Sequence, residues 1–351
     1  MRAPSLSILA LLAACSPAAP VESAPVAIKP GPAAVYYETT LAGAPKLILP
    51  LACEPGVTCE LQNGIDRDPG PDAQDYRCGR HTYQAHNGVD IRLKDLAAQR
   101  AGVAVLAPAA GTVTGIRDSM ADISVKAPGA PDVSRQMCGN GVAINHGGGW
   151  TSQYCHMALG SILVRPGQVV SAGQPLGRVG LSGNTEYPHL HMTIWKDGVV
   201  SDPFAPQGDP QACDPDANPG GLWIRSVGQA LGYKRGVALN TGFAGDSLDN
   251  LKLEEAQVPP PGPTTPALLA YVRLLNLEGG DEIELTLSGP DGKILTTARQ
   301  PPLDRAKAQY LVFSGRKTPA GGWPAGTYSA RYKVIRGGTD AVAGAFSYSI
   351  K

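Results

Sequence analysis

Residues 188–195 read PHLHMTIW and set His189 and His191 on either side of Leu190, in a chain that holds only 6 histidines among 351 residues. In an extended chain, residues two apart point to the same face. His189, His191, Thr193 and Trp195 then share one side, while Leu190, Met192 and Ile194 share the other and reach a core. Thr, Ile and Trp favour a strand over a helix. Two imidazoles about 7 Å apart on an open face can serve one site. Taken alone, the pair describes two surface histidines on a half-buried strand equally well.

The other histidines narrow the choice. The stretch AHNGVDIRL places His86 four residues before Asp90, with Val89, Ile91 and Leu93 alternating inward. On a straight strand those two positions stand about 13 Å apart, too far to share an ion. Asn87-Gly88 is a turn signal, however, and a glycine can bend the chain so that His86 and Asp90 converge. Further on, GNGVAINHGGGWTSQYCHM (139–157) predicts a hairpin that turns at Gly147-Gly148-Gly149, with Tyr154 and His156 on one face of the return strand. His146 at the turn and His81 in a polar segment read as exposed loop residues rather than ligands.

In this order, H-x-G-x-D (86–90), Y-x-H (154–156) and H-x-H (189–191) followed by a β run resemble the lysostaphin-type (LytM-like) zinc endopeptidases. The connectors PAAGTV (108–113), VRPGQVVSAGQPLGRVGLSGNTEYPHLHM (164–192) and Asp202-Pro203 belong to the same resemblance, which covers about 84–206. It implies one zinc per chain, with His86, Asp90 and His191 as ligands and His156 and His189 as flanking catalytic residues. Three protein ligands leave one tetrahedral position open, the arrangement of a catalytic rather than a structural zinc. The resemblance further implies hydrolysis of the peptide cross-links of bacterial peptidoglycan, with its stem peptides as substrate. The alternative is a non-cutting protein of the same fold that activates or recruits other wall hydrolases, or a scaffold acting through its C-terminal part.

Composition supplies the frame for these residues. Gly 43, Pro 32 and Phe 4 suit many short strands joined by turns, so an all-β fold is expected. Charged residues are 17% and balance to zero, which gives no nucleic-acid footprint. The expected order is a signal peptide over 1–15, an Ala/Pro-rich linker over 16–45, and an antiparallel LytM-like domain over 46–208. A linker over 209–221 then leads to an immunoglobulin-like β-sandwich over 222–351, where alternating runs such as DEIELTLSGPDGKILTTA are separated by turn signals. The sandwich carries no histidine and reads as an accessory module, a possible contact for an envelope protein partner.

Leu12-Ala13-Ala14-Cys15 resembles a bacterial lipobox, which implies a lipid anchor at Cys15 and a periplasmic, outer-membrane-anchored lipoprotein; the alternative is an ordinary secretory signal with Cys15 incidental. The other 6 of the 7 cysteines then form disulfides, since no C-x-x-C pair suggests a structural zinc. Cys138 and Cys155 bracket the hairpin at near-equal distance from its turn and are expected to pair. The pairing among Cys53, Cys59, Cys78 and Cys213 stays open.

Overall fold

The computed structural model describes residues 37–38, 41–207, 209–216 and 220–351. The signal segment, Cys15 and most of the 16–45 linker lie outside the described residues. The glycine- and proline-punctuated runs form strands, and helices are limited to α1 (Leu96–Ala101), α2 (Arg225–Ala230) and α3 (Asn250–Glu254) among the described residues.

The N-terminal half opens with β1 (Tyr37–Glu38), β2 (Cys59–Asn63) and β3 (Val89–Leu93), and continues through β4 (Ala104–Leu106) and β5 (Gly111–Arg117). A hairpin of β6 (Asn140–Gly147) and β7 (Trp150–Met157) follows, then β8 (Val169–Val170), β9 (Pro175–Arg178), β10 (His189–Lys196), β11 (Val199–Val200) and β12 (Gly220–Gly221). The main sheet runs β2-β3-β10-β7-β6-β5-β8, with β11 added to β10 and every pairing antiparallel. Its inner face is apolar: Val89, Ile91, Leu93, Leu190, Met192 and Ile194 are each at most 1% exposed. This is the inner face expected for β10, but its other face is not open, since His189 and Thr193 are 5% and 1% exposed. Strand β3 departs from a half-buried pattern, because Asp90 and Arg92 on its other face are also 1% exposed.

The hairpin turns on three left-handed glycines, Gly147, Gly148 and Gly149. The expectation that Tyr154 and His156 share a face is corrected. Between the Asn140–Met157 and Val142–Tyr154 rungs, Cys155 and His156 together oppose the single residue Gly141, a bulge, and His156 takes φ 61°. Tyr154 therefore points into the core, with its hydroxyl on Ser152, while His156 turns to the opposite face.

The second half forms a sandwich of seven strands: β13 (Val237–Ala244), β14 (Ala267–Leu277), β15 (Glu282–Ser288), β16 (Ile294–Gln300), β17 (Lys307–Lys317), β18 (Gly326–Arg336) and β19 (Thr339–Ile350). Sheets β13-β14-β17 and β16-β15-β18-β19 bury Val272, Leu274, Leu285, Leu287 and Val334 between them. The Pro259–Pro263 stretch is a loop packed onto this sandwich: Trp323 donates to the Pro263 carbonyl and Tyr348 to that of Pro261. Residues 222–231, expected to open the sandwich, belong instead to the first core. Leu222, Trp223 and Leu231 are buried there, and β12 pairs with β1 in parallel. The apolar run LW simply completes the nearer core.

The two halves meet through buried charge. Glu254 accepts from both Arg92 and Arg273, which are 1% and 0% exposed. Burial and the neighbouring Arg92 pull Arg273 down to about 10, which leaves it charged at neutral pH. Lys234 pairs with buried Glu60, and Glu278 with His81. His81, expected as an exposed loop residue, is thus 7% exposed and stacked on Tyr233.

Three disulfides join Cys53–Cys59, Cys78–Cys213 and Cys138–Cys155. The expected Cys138–Cys155 bridge is present, although Cys138 precedes β6 and reaches back through left-handed Gly139 rather than facing Cys155 on a shared rung. Cys78–Cys213 closes a separation of 135 residues, and loop closure on that scale is worth about 5 kcal/mol in the chain-entropy account, against about 2 kcal/mol for the 6-residue separation of Cys53–Cys59. Replacing Cys78 and Cys213 together with serine should therefore lower the unfolding midpoint in urea more than the same change at Cys53 and Cys59. Equal midpoints for the two double variants would show that loop closure is not what the long bridge contributes.

Candidate metal centre and flanking histidines

Strand β10 delivers His189 and His191 beside Asp90 of β3, with which His191 is in register. The bend read at Asn87-Gly88 is real: β3 begins only at Val89, and His86 stands in the preceding turn behind left-handed Ala85. His86 Nε2 lies 3.2 Å from Asp90 Oδ1 and 3.1 Å from His191 Nδ1, and His191 Nδ1 lies 2.9 Å from Asp90 Oδ1. Tetrahedral zinc with bonds of about 2.0–2.1 Å separates its ligand atoms by about 3.3 Å, so these three donors form one face of such a site. No other group of three or more His, Cys, Asp or Glu side chains converges in this way among the described residues.

Each donor is oriented from behind, as ligands generally are. A carbonyl can only accept, so the 2.6 Å contact of His86 Nδ1 with the Gly64 carbonyl places the proton on Nδ1 and turns the Nε2 lone pair inward. His191 Nε2 meets Thr193 Oγ1 at 3.0 Å, which leaves Nδ1 for the centre. Asn63 Nδ2 donates to Asp90 Oδ2 at 2.9 Å and keeps Oδ1 forward.

His156 and His189 flank this face with ring centroids 4.7 Å apart, and His156 lies 6.0 Å from the His191 ring. Their Nδ1 atoms donate to the carbonyls of Ser182 and Tyr187 at 2.8 and 2.9 Å. Nε2 is thereby the nitrogen each offers for proton transfer, and His189 Nε2 stands 3.5 Å from Asp90 Oδ1. Burial, then the neighbouring His189 and His191 rings, hold His156 well below the ordinary histidine range. Burial also lowers His189, against the pull of Asp90. Burial opposes the Asp90 charge, yet His86, His189 and the hydrogen bonds of His191 and His86 outweigh it and hold the carboxyl well below its usual range. Burial opposes the His86 charge in the same way, and facing Asp90 raises it all the same.

All five residues expected at the site thus lie together. His146 does not: it bonds the Ala110 carbonyl and Ser152, away from the cluster. The supporting residues Asn63, Gly64, Thr185, Tyr187 and Arg92 carried no site signal of their own. Thr185 and Tyr187 lie inside the 164–192 connector and Arg92 inside the AHNGVDIRL stretch, while Asn63 comes from the edge strand β2.

An antiparallel sheet that presents a two-histidine, one-aspartate donor set beside two further histidines defines the class as an all-β domain with a candidate metal centre. Residues 84–203 match the profile of Peptidase family M23, which supports a LytM-type peptidase domain over that part of the chain. A 56-residue stretch is 47% identical to the peptidoglycan DD-endopeptidase ShyA of Vibrio cholerae, over 16% of this chain and 13% of that protein. Similar solved structures include a zinc-containing peptidase from Vibrio cholerae (21% identity, 45% of this chain and 40% of that one, TM-score 0.27). The catalytic domain of lysostaphin from Staphylococcus simulans is similar at 21% identity, over 40% of this chain and 85% of that one, with TM-score 0.26.

Gly88 supplies a direct test of the geometry. A Cβ there would lie 2.7 Å from the Cε1 and Nε2 atoms of His191 and from the Met192 carbonyl. Gly88→Ala should therefore push the His191 ring off the face and weaken zinc binding, measured by titration of the metal-free protein, while unfolding stays cooperative. Parental zinc affinity in this variant would mean that the ring has room the structure does not show.

Proposed function

We propose that the protein is a zinc-dependent endopeptidase that hydrolyses the peptide cross-links of bacterial peptidoglycan. The observation that carries this reading is the donor face of His86, Asp90 and His191, with its edges of 2.9–3.2 Å, set against two histidines whose Nδ1 atoms are tied to backbone carbonyls. His86, Asp90 and His191 would hold one zinc. When bound, zinc supplies Lewis acidity, polarising the scissile carbonyl and acidifying water.

The remaining work falls to this chain's own groups. His156 and His189, neutral before reaction, offer Nε2 to accept the proton of the attacking water and to return a proton to the leaving amine. The same Nε2–H groups, once charged, stabilise the developing oxyanion. Substrate class follows from the family and from the name of the curated relative, a peptidoglycan DD-endopeptidase. We further propose that Cys15 is acylated and anchors the protein to the outer membrane, facing the periplasm where that substrate lies.

Purified sacculi digested with this protein should release new peptide ends, and a chelator should stop the release. Release that survives complete zinc removal would refute the metallopeptidase reading, and no release from the zinc-loaded protein would favour a non-cutting binder. Zinc content should fall in His86→Ala, Asp90→Ala and His191→Ala. His156→Ala should retain zinc and lose about 10²–10⁴-fold in rate. Fractionation should find the parent in membranes and Cys15→Ala in the soluble fraction. A Cys15→Ala protein that stays fully with membranes would contradict the anchor.

A further inference from the structure

Arg92 stands two residues beyond Asp90 on β3, and its side chain is 1% exposed. Within the peptidase domain its polar contact is the neutral amide of Gln62, at 3.0 Å. Its guanidinium also lies 4.1 Å from the centre of the Tyr187 ring. A buried cation met only by an amide and a π face is poorly compensated. The counter-charge arrives from the sandwich: Glu254, the last residue of α3, accepts from Arg92 Nη2, and Gln309 of β17 accepts from Nη1 at 2.7 Å.

Tyr187 carries this contact to the site. Its ring lies 4.8 Å from the His189 ring, and its carbonyl is the acceptor that fixes His189 Nδ1 at 2.9 Å. Its hydroxyl accepts from Asn63 Nδ2, the group that also holds Asp90 Oδ2. Glu254, Arg92, Tyr187 and His189 form one continuous stack, with its first member in one domain and its last at the candidate catalytic centre.

We propose that Glu254 is a positioning residue for His189, acting through Arg92 and Tyr187, so that the C-terminal sandwich completes the peptidase site. The inference rests on the hydrolytic reading of the site. It differs from a merely stabilising junction in one respect. Other junction contacts, such as Glu278 with His81, do not touch Arg92 or Tyr187 and leave His189 alone.

The test compares full-length Glu254→Gln and Glu278→Gln. With isotope-labelled histidine, NMR reads solvent exchange of the His189 Nδ1–H, a signal available with or without turnover. In Glu254→Gln this proton should exchange roughly tenfold faster, the weight of one charge-assisted hydrogen bond. In the same variant kcat should fall by a similar factor with KM and zinc stoichiometry unchanged. Glu278→Gln should lower the unfolding temperature and move neither readout. Arg92→Lys keeps a charge for Glu254 but loses the planar stack on Tyr187, and should reproduce the His189 effect should Glu254→Gln fold poorly. Parental His189 exchange in both Glu254→Gln and Arg92→Lys, or equal acceleration in Glu278→Gln, would overturn the proposal. A parent protein that fails to cleave sacculi would refute the hydrolytic reading by itself, while the exchange measurement still settles the positioning role.

Discussion

Asp90 is a carboxylate withdrawn from water in the middle of a β-sheet, and its surroundings are those such a charge requires. A buried anion without partners would be too costly to keep. Here Oδ2 takes a hydrogen bond from Asn63, and Oδ1 faces His86, His189 and His191. To supply those partners the fold must bend the chain before β3, pair β3 with β10 in one register, and bring residue 63 from the edge strand. A slip of one residue in β10 would turn His189 and His191 toward Leu190's side and empty the site.

The register is held by apolar packing on the opposite face, where Ile91, Leu190, Met192 and Ile194 are buried. Each fully buried side chain of this kind is worth about 1.5–3 kcal/mol relative to exposure. The alternation that protects the core is therefore the same alternation that aligns the donors. One local departure adds the last histidine. The bulge opposite Gly141 puts Cys155 and His156 on successive positions with a left-handed residue between ladder rungs. Such a conformation in a non-glycine residue costs of order 1–3 kcal/mol and persists where the surroundings over-determine it. Here the Cys138–Cys155 bridge, the Cys138 carbonyl on His156 N and the Ser182 carbonyl on Nδ1 do so.

The junction between domains follows the same electrostatic logic at a second site. Two buried guanidiniums converge on one carboxylate, Glu254, with the side-chain amides of Gln309 and Asn240 and the Lys94 carbonyl as further acceptors. Neither half meets that requirement alone. The sandwich, which has no histidine of its own, is thereby bound to the strand that carries Asp90.

Much of this was legible in the residues themselves. The period-two pattern of 188–195, the Asn-Gly bend after His86 and the glycine hairpin at 147–149 are local consequences of backbone sterics, and short-range sequence encodes them. The all-β class and the hairpin bridge were reachable for that reason, while the five residues brought to the site were named through the resemblance to lysostaphin-type endopeptidases. Long-range arrangements were not. That Tyr154 and His156 face opposite ways depends on a bulge set by a partner strand, and alternation alone predicts the reverse. That Leu222 and Trp223 close the first core depends on which apolar surface lies nearer. Asn63, Arg92 and Glu254 are polar residues of the kind found on any surface, and only the approach of distant segments gives them partners: Asn63 meets Tyr187 across 124 positions, and Arg92 meets Glu254 across 162 and Gln309 across 217. A charge's burial is a property of what packs over it, and no window of sequence contains that.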